Sequence, residues 1–392
     1  MVEGNPLSGV ILQVLTDELD AGRVLAKGHF ATAAGLSLKR NRVQPYWGST
    51  HMVLQKLWEL HNYGWTHLQD GQIPPAPYTG KRKIYRRPTT IEMVRWLVPA
   101  VAAKAMRKVR RAIRRADMTD HWRMAIRPTA AAPFRIPVDM ARFSWIESPH
   151  GHFYADPFLF EDGSTTHLFF EDYSYAQGRA VIAHAELDDR GSLGAVRTVL
   201  DTGTHASYPC VFAHDESIYM LPETIQAGGV RLYKAQPFPH TWTNVAEILH
   251  GPVVDSTIFH EARRWWLFTT VRDPRGRGLA LCLFWADSPM GPWSYHPKNP
   301  ISLDVRRARG AGHVLRDDIG LIRPSQDCSA RYGSSFGFNR IVRLSTDDYC
   351  EEIVQVVEPS WAQGLVTTHT FNRATGFEVT DGQISRPTRK VR

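Results

Sequence analysis

Cysteine is scarce in this chain: four in 392 residues, at positions 210, 282, 328 and 350. They show no CxxC and no metal-ligand spacing, so neither a disulfide scaffold nor a zinc domain is expected. Cys210 and Cys282 lie in apolar runs and read as reduced core residues. Long hydrophobic runs are also missing. No stretch reaches the roughly 18–20 apolar residues that a spanning helix requires. The opening Met1-Val-Glu-Gly-Asn-Pro lacks the charged start and apolar run of a secretory leader, and the default expectation is a cytoplasmic protein. Acidic charge is thin only at one end. Residues 1–130 hold 21 Lys/Arg against 9 Asp/Glu, whereas the remainder holds 26 against 30. The net charge of +8 therefore belongs to the N-terminal part. With an acidic remainder and no recognisable binding module, nucleic acid is not expected as a partner.

What the chain does have is a repeat. A polar knot precedes an apolar strand, a turn and a second apolar strand. The copies read Tyr154-Ala-Asp-Pro-Phe-Leu-Phe with His167-Leu-Phe-Phe-Glu-Asp, Ser207-Tyr-Pro-Cys-Val-Phe with Ile218-Tyr-Met-Leu-Pro-Glu, and Val254-Asp-Ser-Thr-Ile-Phe with Trp265-Trp-Leu-Phe-Thr-Thr. Asp156, Tyr208 and Asp255 take matching places roughly 50 residues apart, a propeller-blade period. Glu171, Glu223 and Thr270 match at the second strand. Polar residues at one point of successive blades converge on an axis, and that is where a site is expected. Glu171 and Asp172 are neighbours, so at most one of them points inward.

The chain divides into residues 1–70, a Pro-rich basic linker and helix over 71–120, and a strand-rich region over 121–392. Residues 9–30 hold two β-like runs around Leu19-Asp-Ala-Gly22, and residues 48–63 have helical spacing. Thr89-Thr-Ile-Glu92 can start a helix running to about residue 116. Its apolar side and its crowd of Lys and Arg suit contact with an anionic membrane surface through residues 91–116; a solvated linker helix is the alternative. In the strand-rich region, blade four is expected to open at Leu321-Ile-Arg-Pro-Ser-Gln-Asp327 and blade five at Thr368-His-Thr-Phe-Asn372. The segment Trp122-Arg-Met-Ala-Ile126 is placed to close the ring by pairing with the last blade. The fold class is thus an all-β five-bladed propeller with a small α/β N-terminal segment and a basic helical linker. A β-sandwich with a coincidental period is the competing architecture.

Ala155-Asp-Pro-Phe158, Asp255-Ser-Thr257 and Ala286-Asp-Ser-Pro-Met-Gly-Pro-Trp293 resemble the five-bladed carbohydrate-active propellers, the arabinanase, xylosidase, invertase and levansucrase group. Adding Arg323-Pro-Ser-Gln-Asp327, Arg331-Tyr-Gly333 and His369-Thr-Phe371, residues 120–385 look more closely like the N-terminal propeller domain of plant glucosamine inositolphosphorylceramide transferases and their bacterial relatives. Residues 9–65 resemble the end of a formyltransferase fold. That family's catalytic Asn, His and Asp lie upstream of the matching segment, so formyl transfer is not expected.

Glycoside chemistry needs two carboxyl groups across one bond, one protonated and one ionised, about 5–5.5 Å apart for retention or about 6.5–9.5 Å for inversion. The resemblance to the hydrolases makes Asp156 the candidate base or nucleophile, with Asp255 orienting and tuning the acid. Glu223 is the first choice for that acid, Glu171 the second and Asp327 the third. The hydrolases take their acid Glu from a later blade, where this chain offers Arg323-Pro-Ser-Gln-Asp327. Arg323, Tyr332 and His369, with Glu171 and Asp327, are candidate contacts to a carbohydrate or sugar-phosphate ligand. No metal or cofactor motif stands out, and none is expected. The chain is expected to act on or bind a glycan in surface polysaccharide or glycolipid assembly, as a glycosidase-like or glycosyl-transferring protein. The alternatives are a non-catalytic sugar-binding propeller that assists a partner enzyme and a protein-interaction propeller.

Overall fold

The computed structural model describes residues 5–18, 22–32, 37–71, 73, 88–115, 118–129, 133–272 and 279–387. The turn at Leu19–Ala21 and most of the Pro-rich linker lie outside these residues. Two compact units emerge, one built on residues 1–120 and one on 121–384 interrupted at 276–278.

The first unit holds a two-stranded antiparallel hairpin, Leu7–Val14 with Arg23–Ala31. Helical segments follow over Leu38–Gly48, Thr50–Asp70 and Thr90–Arg115, the second broken at Gly64, whose φ of +79° is not helical. The last starts at a reciprocal capping box. The Thr89 N–H donates to Glu92 Oε2, and the Glu92 N–H donates to Thr89 Oγ1.

The second unit is a ring of five antiparallel sheets. Blade one runs outward through His152–Asp162, Thr165–Ser174, Arg179–Leu187 and Arg197–Leu200. Blade two runs from Ser207–His214 to Trp242–His250, and blade three from Val253–Glu261 to Ser294–Tyr295. Blade four departs from the sequence expectation. Its innermost strand is a broken one, Arg309–Gly310 and Leu315–Arg316, and Leu321–Asp327 is its second strand. The glycine-rich Arg-Gly-Ala-Gly stretch carries no apolar alternation, so it reads as a loop in sequence. Blade five joins Leu365–Thr367 and Phe371–Ala374 to Phe377–Pro387, then to Met118–Pro128 and Ser144–Ile146. The N-terminal strand thus closes the ring as expected, which removes the exposed edges that an open array would leave.

Five apolar clusters correspond to the five seams between blades. Phe169, Ile182 and Met220 join blades one and two, and Leu221, Ile258 and Leu267 join two and three. Phe268, Leu283 and Ile341 join three and four, Ile322, Phe338 and Phe371 join four and five, and Met124, Leu168 and Val379 join five and one. Alternation explains this: one face of each blade packs on the next blade and the other on the previous one, so both faces are apolar.

At the centre the innermost strands touch directly. The Gly312 N–H donates to Tyr208 Oη at 2.7 Å, and Tyr208 Oη lies 2.8 Å from Thr257 Oγ1. Gly312 is at φ +139°, and a Cβ there would meet the Phe371 carbonyl oxygen at 2.1 Å. Only glycine fits this crossing.

Candidate functional site

The repeat recognised in sequence is a backbone feature. Asp156, Tyr208 and Asp255 all have left-handed backbone, at φ +49°, +48° and +49°. Each sits in a register shift between the first two strands of its blade. A bulge re-aims a side chain, and a left-handed non-glycine residue costs on the order of 1–3 kcal/mol. The same strained device in three consecutive blades turns residues of the first and second strands toward the axis.

Five carboxyl groups gather there: Asp156, Glu171, Glu223, Asp255 and Asp381. Each of the other four raises the proton affinity of Glu171 through its negative charge. Of the neighbours Glu171 and Asp172, it is Glu171 that turns inward, while Asp172 holds His152 Nδ1 at 2.7 Å. Glu171 and Glu223 are the members nearest solvent, at 7% and 9% exposure against 3% for Asp156 and Asp255.

Two cations face these acids. Arg309 binds Asp255 through Nε and Nη2, and Gln326 Nε2 adds a hydrogen bond to Asp255 Oδ2 at 3.1 Å. The Arg309 guanidinium also lies over the Tyr332 ring, 4.6 Å from its centroid. His369 stands between two acids, with Nδ1 2.7 Å from Asp381 Oδ1 and Nε2 3.5 Å from Asp156 Oδ1. The indole of Trp122 stacks on it at 4.0 Å. Asp381 accepts from the N–H groups of Asp156, His369 and Thr370, and Thr370 Oγ1 donates to Asp156 Oδ1 at 2.8 Å.

Two cations cannot offset five acids in a buried site, so some carboxyls keep protons. Burial pushes Asp156 up to about 6; the His369 charge opposes this, and Asp381 and Asp255 reinforce it. Burial and then Asp255 push Glu223 up to about 7, although the Ile225 N–H donates to it at 2.8 Å. Glu171 is raised well above the usual range by burial and then by Asp156. Burial lowers the pKa of His369, but Asp381 and Asp156 outweigh it and leave the ring more basic than usual. Asp156, His369 and Asp381 also offer ligand atoms within 4.8 Å of one another, a geometry that could hold a cation. In this structure they hydrogen-bond one another.

Asp156, Glu171, Glu223, Asp255 and His369 come together, and Tyr332 borders them through Arg309 and His369, its ring 5.3 Å from the imidazole. Two expected contacts do not join them. The Arg323 guanidinium makes a two-pronged bond to Glu351 inside blade four, both arms at 2.8 Å, and donates to the Arg307 carbonyl. It follows from the strand correction: as a second-strand residue, Arg323 meets Glu351 on the blade's own outer strand. Asp327 accepts from the Ser329 N–H at 2.7 Å and shapes a turn. Thr270, the third copy's counterpart of Glu171 and Glu223, donates to the Ala308 carbonyl at 2.8 Å.

Sequence reasoning missed Arg309, Gln326, Thr370, Trp122 and Asp381. Asp381 stands before Gly382 and reads as a turn. The alternation Phe377, Val379, Asp381 was the available signal, since it puts the acid on the same strand face as two apolar residues.

Fold and site together define a five-bladed propeller with an acidic axial centre. The family described as Glucosamine inositolphosphorylceramide transferase 1, N-terminal, matches residues 116–371, and the chain belongs to it. Among curated proteins, the chain is similar to Glucosamine inositolphosphorylceramide transferase 1 of Oryza sativa subsp. japonica, 36% identical over 206 residues, covering 51% of this chain and 28% of that protein. The Arabidopsis thaliana protein of the same name is 37% identical over 207 residues, covering 51% and 27%. The match thus spans little more than a quarter of those relatives. Similar solved structures include a family 117 glycoside hydrolase of Zobellia galactanivorans, with a TM-score of 0.42 and 12% identity over 67% of this chain and 90% of that one. The alpha-L-arabinanase of Cellvibrio cellulosa gives 0.38 and 12% over 51% and 77%.

Proposed function

We propose that the axial site binds a sugar and performs acid-assisted glycosyl chemistry on it. The observation that carries this reading is the convergence of buried carboxyls on the axis, with the Asp255–Arg309 pair beside them. Burial and neighbouring acids raise the proton affinity of Asp156, Glu171 and Glu223, so a protonated and an ionised acid can share the site. Glycosyl transfer requires such a pair. In this reading Glu223 protonates the leaving oxygen, Asp156 is the base or nucleophile, and the Asp255–Arg309 pair tunes Glu223. The half-exposed ring of Tyr332 offers an apolar face for the sugar. The family and the names of its plant relatives support a sugar conjugate of glycolipid assembly as the substrate class.

The second reading is a site that binds sugar without turning it over. Asp156 favours it, because Thr370 and His369 already occupy its Oδ1 and it is only 3% exposed. One experiment separates the two. Wild type and Asp156→Asn are screened against nucleotide sugars and aryl glycosides, for turnover and for binding. Turnover confined to wild type supports catalysis, with a bell-shaped rate that falls below about pH 6 as Asp156 protonates and above about pH 7 as Glu223 ionises. Binding without turnover supports the second reading. Absence of both, or an Asp156→Asn protein that behaves as wild type, removes the site assignment.

The same reading places the chain at an anionic membrane through the helix Thr90–Arg115. That helix holds eight Lys/Arg against one acid, Glu92. Ile91, Val94, Val98, Val101 and Val109 are exposed along it, at spacings that share one face. No described helix is long and apolar enough to cross a membrane. Deleting residues 91–116 is expected to abolish sedimentation with phosphatidylserine vesicles. Unchanged sedimentation would remove the helix as the anchor.

A further inference from the structure

A cavity of about 490 Å³ lies beside blade five and shares no residue with the axial site. Four arginines line it, Arg127, Arg135, Arg142 and Arg373, against two acids, Asp139 and Glu378. Two formal positive charges are therefore in excess.

The four arginines are not equivalent. Glu378 is buried and bridges Arg127 and Arg373, so one carboxylate serves two guanidinium groups. Arg127 is fixed further by the carbonyls of Asp139 and Ala141 and lies over the Phe143 ring. Arg373 lies over Phe134. These two form a rigid floor. Arg135 reaches only Asp318, at 4.0 Å, in a pair exposed on both sides. Arg142 has no ion-pair partner among the described residues, and its backbone is left-handed at φ +65°. A second sign comes from Thr129 in the cavity wall. Its hydroxyl is buried and has no hydrogen-bond partner among the described residues. Buried hydroxyls normally have one, which marks this wall as less completely satisfied than the floor.

The geometry points to a second binding site, for a phosphate monoester. A guanidinium fork matches two phosphate oxygens. A phosphate monoester carries a charge of about −2 near neutral pH and three acceptor oxygens, enough for both Arg135 and Arg142, whereas a carboxylate offers two oxygens. The volume falls in the range of small-molecule sites, roughly 300–1,000 Å³, so a sugar can accompany the phosphate. The sugar-phosphate contact expected from sequence at Arg323 thereby falls to other arginines. This inference does not depend on catalysis at the axis. The phosphate can belong to a soluble sugar phosphate or to a lipid headgroup.

Titration calorimetry on the whole chain at physiological salt tests it. The probes are inorganic phosphate, glucose 1-phosphate and dihexanoyl phosphatidic acid kept below micelle formation. Wild type is expected to bind at least one of them. The double substitution Arg135→Gln and Arg142→Asn, at exposed positions with folding checked by circular dichroism, is expected to weaken that binding about tenfold or more, the scale of a lost charge-assisted contact. For inorganic phosphate and the phosphatidate, which carry no sugar for the axial site, Asp156→Asn is expected to leave binding unchanged, which separates the two sites. Tighter binding of glucose 1-phosphate assigns a soluble source, and tighter binding of the phosphatidate assigns a lipid source. Failure of all three probes to bind at millimolar concentration overturns the proposal. So does a double variant that binds as wild type, or loss of inorganic-phosphate or phosphatidate binding in Asp156→Asn.

Discussion

A Glu223→Gln protein is expected to lose turnover by about 10²–10⁴-fold, the usual contribution of a general acid, and to become more stable than wild type above neutral pH. The two effects have one cause. Glu223 is 9% exposed, and burial with Asp255 raises its pKa from 4.5 to about 7. The folded state therefore favours the protonated acid. Its contribution to stability is fully present below the unfolded pKa and is lost as pH rises through about 7. At about 1.4 kcal/mol per pKa unit, ionising Glu223 costs on the order of 3 kcal/mol. Gln never ionises, and its amide oxygen can still accept from the Ile225 N–H. Thermal unfolding of both proteins from about pH 4 to pH 9 checks this. The curves should run together below pH 4.5, separate as pH rises from 4.5 to about 7, and stay a constant distance apart above that, with the variant melting higher. A variant that tracks wild type at every pH, or melts lower above pH 7, would show that Glu223 holds no proton worth preserving.

An Arg323→Ala protein is expected to lose about 3–5 kcal/mol of stability, the scale of breaking a buried ion pair from one side. Arg323 is 2% exposed, and Glu351, held ionised against its burial by that guanidinium, would keep the Tyr349 hydroxyl and the weaker Arg307 charge but no bonded cation. Replacing both partners, Arg323→Met with Glu351→Leu, should recover most of the loss, because no unpaired charge then remains. Arg309→Ala should also lose stability, because Asp255 is then buried with only Gln326 as partner, and should in addition weaken sugar binding at the axis, which Arg323→Ala should leave unchanged. Urea unfolding with parallel sugar-binding measurements separates the two arginines. A stable Arg323→Ala protein that has lost ligand binding would restore the assignment made from sequence.

These two arginines also show where sequence reading stopped. Arg323 lies in Arg-Pro-Ser-Gln-Asp, a polar knot like those that open the first three blades, and was aligned with them. Arg309 lies in a basic stretch without alternation and read as a loop. Both errors follow from blade four's broken first strand, whose pairing depends on Gly310 and Gly312 passing close to Tyr208 and Phe371. A contact between residues about a hundred positions apart leaves no local pattern.

The period of apolar strands, the acidic knots that begin them and the closing strand at Trp122 were legible because they are local: alternation, turn residues and spacing along the chain. So were Asp156, Glu171, Glu223 and Asp255 as positions that face an axis. The raised proton affinity of Asp156, Glu171 and Glu223 was settled only by folding. It depends first on burial and then on the charges that share one volume, to which blades four and five add Arg309, His369 and Asp381. Electrostatic energy in a desolvated centre is set by distance through space, which the order of residues along a chain does not carry.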